Sequence, residues 1–313
     1  MNAWVADGIS AAVILGFVAQ TIRISVPYAL GAMGAAFSER GGVINIALEG
    51  IFLNSALAYT LATYFTSNAW LGVLAAIGAG LATAGLHALV TVTFRADQIT
   101  SGIGINLLAV GLTRFVLKAV FDSAASSSRV EEGLPVWEIP LLGELPGIGP
   151  LLGTPLVLIT FALVAVSWWT IFRTPFGLRL RAVGEHPEAA ATLGISVVKL
   201  RYSGVLLSGV LAGLGGAWLA SDQHMFVDNM AGGRGYIALA AMIVGKWNPV
   251  GGAAACLLFG AAETLQIHLQ GKGVPNEFLQ MLPYLLTIAV LAGAIGRARP
   301  PASVGKPYDP EAH

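Results

Sequence analysis

Charge is the scarcest property of this sequence. Only 11% of the 313 residues are Asp, Glu, Lys or Arg, whereas 56% are hydrophobic, and an ordinary soluble domain carries about 25% charged residues. A soluble protein of this length needs a polar surface, which so few charged residues do not supply. The 17 basic and 17 acidic residues also leave no net charge, so the composition does not favour nucleic acid as a partner. The sequence therefore predicts a protein whose surface contacts membrane lipid.

Cysteine and the common nucleotide and metal motifs are also missing. Cys256 is the only cysteine, which excludes an intrachain disulfide, and its apolar surroundings favour a small buried side chain. Gly245-Lys246 is followed by Trp247, so no GxxxxGK[ST] phosphate loop is present. An HExxH pair, a nucleophile elbow and a clustered metal-ligand set are absent as well. We therefore expect no enzyme activity and no cofactor bound by this chain.

Long apolar runs fill most of the chain instead. A helix needs about 20 apolar residues to cross the bilayer core, and the runs predict an all-α bundle of about nine to ten membrane helices. The first region contains Arg23 and Pro27, so it forms either one bent span or two short ones. Residues 236–244 are too few to cross the bilayer, which predicts a short or broken span. The other predicted spans are 43–65, 70–94, 98–121, 151–172, 203–220, 251–268 and 278–295.

The basic residues predict how the chain is oriented. Lys and Arg remain on the cytoplasmic side of membrane proteins, and the segment 173–201 contains five of them: Arg173, Arg179, Arg181, Lys199 and Arg201. Placing this segment in the cytoplasm also places the C terminus there. We therefore expect a transmembrane domain over 1–299, with a cytoplasmic segment over 173–201 and an extracytoplasmic loop over 122–150. A Pro-rich cytoplasmic tail over 300–313 is expected to be disordered.

The cytoplasmic segment is predicted to contain a short helix. Pro187 is tolerated in the first turn of a helix, and the Ala-rich residues that follow favour helix until Gly194 ends it. Such a helix between two spans suits contact with a soluble partner. Physical reasoning alone favours an ordinary connector equally.

Three stretches of the sequence carry a family resemblance. Residues 176–219 resemble the coupling segment of permeases of the branched-chain amino acid and ribose type ABC importers. GRGYIALAAMIVGKWNPVGG over 233–252 and SERGGVINIALEG over 38–50 are similar to the nucleoside permeases within that family. The match extends in order over most of the chain. Relatives with similar motifs move sugars or amino acids, so the resemblance is less specific for the substrate.

The resemblance implies a function and a set of partners. It implies the permease subunit of an ATP-driven importer of nucleosides in the bacterial cytoplasmic (inner) membrane, paired with an identical or similar permease subunit. ATPase subunits would bind ATP-Mg, and an extracytoplasmic substrate-binding protein or lipoprotein would deliver the substrate. The short helix would dock into the ATPase through Glu185, Glu188, Ala189, Ala190, Gly194 and Ile195.

Polar side chains within the apolar runs are candidates for the substrate pathway, because each one is costly in a bilayer unless it is satisfied. Asn45 and Glu49 are four residues apart, which predicts a shared helix face, with Asn54 near the same side. The complete set is Asn45, Glu49, Asn54, Gln98, Asn106, Glu263 and Gln266. Hydrogen bonding between helices without a ligand is an equal alternative for any one of them. His87 is expected to be a satisfied packing residue.

Two other function classes remain open at this point. An ion-coupled secondary transporter of a small polar solute would use Glu49 and Glu263 as proton or cation sites. A membrane-embedded enzyme is weaker, because the chain contains none of the catalytic motifs considered above.

Overall fold

A computed structural model describes residues 11–137, 148–271, 275–289 and 298–309. These residues form α-helices joined by short connections, with one isolated antiparallel bridge between Ser126 and Val227. A π-helical turn (Leu89–Thr93) extends α3. The helices are α1 (Ala11–Arg40), α2 (Leu48–Thr66), α3 (Ala69–Ala88), α4 (Gln98–Phe121), α5 (Ile148–Leu152), α6 (Pro155–Arg173), α7 (Pro175–Glu185), α8 (Pro187–Thr192), α9 (Val197–Gln223), α10 (Arg234–Val244), α11 (Pro249–Leu269) and α12 (Asn276–Ala289).

The helix lengths confirm the membrane architecture. Within the described residues, six helices are long and apolar enough to cross a bilayer: α1, α3, α4, α6, α9 and α11. The N-terminal region is one continuous helix that contains Pro27, which decides between the two alternatives for that region. With 11 residues, α10 is roughly 17 Å long, about half of the hydrocarbon thickness. The predicted short span is therefore confirmed.

Helix α9 lies at the centre of the bundle and packs against α1, α2 and α3. In the most apolar 18-residue stretch of α9, 78% of the residues are buried. Small residues allow α3 to approach α9 with backbone contact: a Cβ atom added to Gly80 would lie 2.3 Å from the carbonyl oxygen of Gly209. Close contact through glycine is the usual way for helices to associate in a bilayer, where apolar burial provides no drive. Cys256 is fully buried on α11, as expected.

The C-terminal segment differs from the predicted disorder over residues 300–309. Ser303 donates from its backbone N–H to the carbonyl oxygen of Gly184 at 2.9 Å, and from its hydroxyl to the same oxygen at 2.7 Å. Arg201 is buried and donates from Nη1 to the carbonyl oxygen of Lys306 at 2.9 Å. Composition predicted disorder because Pro and small residues dominate the tail, but these long-range hydrogen bonds hold it against α7 and α9. Residues 310–313 lie outside the described residues.

Substitution of Gly80 by Ala should destabilise the bundle. The new methyl group would overlap the Gly209 carbonyl oxygen, and overpacking costs about 1–3 kcal/mol. Gly78→Ala is a matched control on the same helix, because a Cβ atom there meets nothing within 4 Å and Ala is the better helix former. Thermal unfolding of the detergent-solubilised protein should show a lower midpoint for Gly80→Ala alone. Equal midpoints for both variants would contradict the close α3–α9 contact.

Candidate functional site

A cavity of about 600 Å³ lies at the end of the bundle opposite the segment 173–201. Helix α9 begins beside that segment and its last residues line the cavity, so the two ends are separated by roughly 40 Å at about 1.5 Å per residue. This volume is within the range of small-molecule sites, about 300–1,000 Å³. The polar or charged residues of the wall are Gln20, Arg23, Thr154, Ser221, Asp222, Gln223, His224, Arg234 and Glu263.

Two ion pairs join the cavity walls. Arg23 on α1 donates from Nε to Oδ1 of Asp222 on α9 at 2.5 Å. Arg234, the first residue of α10, donates from Nη2 to Oε1 of Glu263 on α11 at 3.3 Å. The hydroxyl of Tyr28 donates to the second carboxylate oxygen of Glu263. The cavity therefore presents cationic donors and anionic acceptors from four helices.

Of the seven predicted pathway residues, Glu263 lines this cavity. Gln266 lies on the same helix, half-buried and outside the wall. The sequence analysis missed Arg23, Asp222 and Arg234 as site residues. A signal was available for Arg23, since an ionisable residue within an apolar run is the same feature that selected Glu263. Its partner Asp222 is 199 residues away, and a single sequence does not reveal that pairing.

Glu49 caps the short helix α10. Its Oε1 accepts the backbone N–H of Gly233 at 2.7 Å and its Oε2 accepts that of Gly235 at 2.8 Å. The first N–H groups of a helix have no partner within the helix, and a carboxylate satisfies them while complementing the positive end of the helix dipole. The predicted shared face of Asn45 and Glu49 is wrong, because α2 begins at Leu48 and Asn45 precedes it.

The predicted amide side chains hydrogen-bond between elements of the bundle. Asn106 accepts from the N–H of Gly50 at 2.8 Å and donates to the carbonyl oxygen of Ile46 at 3.0 Å. Gln98 accepts the N–H of Ile44 at 2.7 Å. These contacts hold the non-helical residues before α2 and the first turn of that helix, where backbone groups lack intrahelical partners.

Asn45 and Asn54 each bond a hydroxyl group of another helix. Asn45 donates to Ser208 at 2.8 Å, and Asn54 donates to Thr83 at 3.0 Å. His87 is fully buried and contacts the hydroxyl of Ser101 and the carbonyl oxygen of Ile44, which confirms it as a satisfied packing residue. Four of the five predicted amides, Asn45, Asn54, Gln98 and Asn106, thus hydrogen-bond other elements of the bundle.

At the opposite end of the bundle, α7 and α8 form an exposed projection. Helix α8 begins at Pro187, as predicted, whereas α7 was not predicted as a separate helix. Leu193 lies outside the helical bundle and is 80% exposed, which is unusual for a large apolar side chain there. The exposed residues around it are Glu185, Glu188, Ala189 and Gly194, with Ile195 half-buried.

Ala190 faces the interior of this projection. It is 3% exposed and packs with Val183 and Val197, so it supports the projection from within instead of forming its surface. Among the six predicted docking residues, this burial separates Ala190 from the exposed ones.

The described part of the outer loop lies across the connection between α9 and α10. Backbone hydrogen bonds join Ser127 to Phe226 at 2.9 Å and Val130 to His224 at 2.8 Å. Leu134 and Val136 then reach the cavity wall. Residues 138–147 of the predicted loop 122–150 lie outside the described residues. The loop therefore covers one side of the cavity.

The chain matches a family model described as the permease component of branched-chain amino acid transport systems over residues 17–291. The chain belongs to this permease family. Membership confirms the resemblance inferred from the sequence, and it makes this multi-pass membrane protein a translocation subunit of an ABC transporter. The permease cavity and the α7–α8 projection are therefore features of a transport protein.

Three relatives align over nearly the whole permease. A guanosine ABC transporter permease of Bacillus subtilis (strain 168) is 42% identical over 302 residues, 92% of this chain and 94% of that protein. A nucleoside ABC transporter permease of Lactococcus lactis subsp. cremoris is 41% identical, covering 93% of this chain and 96% of that protein. A putative glucose ABC transporter permease of Haloferax volcanii is 33% identical, covering 90% of this chain and 92% of that protein.

Replacing Glu49 by Gln should destabilise the permease. Gln offers one carbonyl oxygen, so one of the N–H groups of Gly233 and Gly235 loses its acceptor and faces an amide NH₂ group instead. A buried donor without a partner costs about 1–3 kcal/mol. We expect a thermal unfolding midpoint lower by several degrees, with no change for Glu132→Gln on the exposed outer loop. Unchanged stability of Glu49→Gln would show that the cap contributes nothing.

Proposed function

We propose that this permease imports nucleosides, as the membrane subunit of an ATP-driven importer in a bacterial cytoplasmic membrane. The observation that carries the proposal is the near full-length similarity to the guanosine and nucleoside permeases. Their identities of 42% and 41% exceed the 33% of a putative glucose permease that aligns about as completely, which favours the nucleoside over the sugar. An ion-coupled mechanism has less support, because Glu49 caps α10 and Glu263 is paired with Arg234.

The chemistry of the cavity supports a nucleoside as its occupant. A nucleoside carries hydroxyl and amino donors together with carbonyl and imino acceptors, and it has no net charge. Asp222 and Glu263 offer acceptors for the donors, while Arg23, Arg234 and Gln20 offer donors for the acceptors. We infer that these side chains bind the solute during its passage. The amides outside the cavity, Asn45, Asn54, Gln98 and Asn106, would act by positioning the helices that form the pathway.

Deletion of the permease from its host should abolish uptake of radiolabelled guanosine, and a plasmid copy should restore it. Uptake should persist when an ionophore collapses the ion gradients while cellular ATP is maintained, and it should stop when ATP is depleted. Radiolabelled glucose serves as the control solute, and its uptake should not change. Loss of glucose uptake with normal guanosine uptake would contradict the proposed substrate, and dependence on the ion gradient would contradict the ATP-driven mechanism.

We further propose that the α7–α8 projection docks an ATPase subunit, which binds ATP-Mg and supplies the energy. Leu193 is the apolar anchor of this surface, and Glu185, Glu188, Ala189, Gly194 and Ile195 surround it. Docking of an ATPase there would put the projection and the adjoining C-terminal segment in the cytoplasm, in agreement with the basic residues of 173–201. The cavity then faces an extracytoplasmic substrate-binding protein or lipoprotein. A second permease subunit, identical or similar, would complete the transporter.

Truncation of Leu193 to Ala should weaken association with the ATPase. An exposed apolar side chain that fills a partner pocket contributes more than 1 kcal/mol when it is a hot spot, which is about a five-fold or greater loss of affinity. Trp137→Ala is the matched control, because Trp137 is a 52% exposed apolar residue at the opposite end. Affinity purification from mild detergent, with quantified ATPase recovery, measures the effect. Equal recovery of the ATPase with both variants would contradict the role of Leu193 as the anchor.

A further inference from the structure

The charged side chains of the cavity wall neutralise one another in pairs. We propose that the permease itself rejects phosphorylated nucleosides, because each cavity arginine is already paired with a carboxylate that would repel a phosphate. This inference rests on the proposed function and names the substrate class more narrowly. Among the described wall residues, the arginines are Arg23 and Arg234 and the carboxylates are Asp222 and Glu263. The pairs therefore give the wall equal numbers of guanidinium and carboxylate groups.

Arg234 has most of its donors occupied. Its Nη2 donates to Glu263 at 3.3 Å, and its Nη1 donates to the carbonyl oxygens of Met230 at 3.0 Å and Ala231 at 3.4 Å. The Arg234 and Glu263 side chains are 26% and 19% exposed, so water screens this pair less than a surface pair. Glu263 is also fixed by the hydroxyl of Tyr28. The guanidinium is thus held against a carboxylate.

Arg23 is more exposed, but its carboxylate partner is held beside it. Its Nε donates to Asp222 at 2.5 Å, and the two side chains are 53% and 27% exposed. The indole N–H of Trp218 donates to the backbone carbonyl oxygen of Arg23 at 3.1 Å. This bond joins α1 to α9 next to the ion pair, so the helices that carry Arg23 and Asp222 remain in register.

The pairs discriminate between neutral and anionic solutes. A phosphate monoester carries a charge of about −1.5 to −2 at pH 7, and arginine normally binds it through two parallel hydrogen bonds. In this cavity the phosphate would meet Asp222 or Glu263 beside each arginine, and repulsion between like charges opposes its entry. A nucleoside carries no such charge and interacts with the wall through hydrogen bonds alone. The same wall therefore admits the nucleoside and rejects its 5′-phosphate.

Removing one carboxylate should turn the adjacent arginine into a phosphate site. Asp222→Asn and Glu263→Gln keep the side-chain shape and free Arg23 and Arg234, respectively. Purified permease in nanodiscs of phosphatidylcholine is tested by equilibrium dialysis with radiolabelled guanosine and guanosine 5′-monophosphate. Each variant should bind the monophosphate at least about ten-fold more tightly than the unaltered permease does, the gain expected from one new charge-assisted contact. Affinity for guanosine should not rise.

Asp228→Asn is the matched control. Asp228 pairs with Arg114 at 2.8 Å outside the cavity wall, so this variant also frees an arginine but should not gain monophosphate binding. Variants are compared only after thermal unfolding shows that they are folded. If one of the two carboxylate variants fails to fold, the other still tests the inference.

Three results would overturn the inference: tight monophosphate binding by the unaltered permease, no gain in either folded cavity variant, or an equal gain in Asp228→Asn. Failure of the intact importer to carry guanosine, together with the gain in the cavity variants, would overturn only the proposed function.

Discussion

The structure depends on one constraint: inside a bilayer, every backbone N–H and C=O group needs a partner within the protein. Continuous helices meet this requirement along their length, but α10 begins inside the bundle, where its first N–H groups would be left without acceptors. Glu49 meets them with both carboxylate oxygens. A carboxylate, which is costly inside a bilayer, is therefore used where the start of a helix leaves N–H donors that need an anion.

The same constraint explains the non-helical residues before α2. Gln98 and Asn106, both from α4, provide side-chain groups for the backbone there, and His87 from α3 contacts the carbonyl oxygen of Ile44. Glycine contributes in a different way, by allowing α3 and α9 to meet at backbone distance. Polar and small residues thus build the frame of the bundle, while the cavity wall carries charged and polar groups of its own.

Much of the fold could be predicted from local sequence features. Apolar length identified the membrane helices, Pro187 and Gly194 marked the ends of the short helix, and nine apolar residues at 236–244 identified a span too short to cross. Less of the cavity could be predicted, because its ion pairs join residues far apart in the chain, as Arg23 and Asp222 do. Spacing by four suggested a common helix face for Asn45 and Glu49, but periodicity applies only where a helix exists, and α2 begins between them. Composition failed for the C-terminal segment, whose order comes from tertiary hydrogen bonds.

The packing of the C-terminal segment has a consequence for biosynthesis. Ser303 and Lys306 bond Gly184 and Arg201, which are synthesised more than a hundred residues earlier. The α7–α8 projection therefore reaches its final packing only after residue 306 has been synthesised. A chain truncated before Ser303 lacks these bonds, so its projection loses the support that the C-terminal segment gives to α7 and α9.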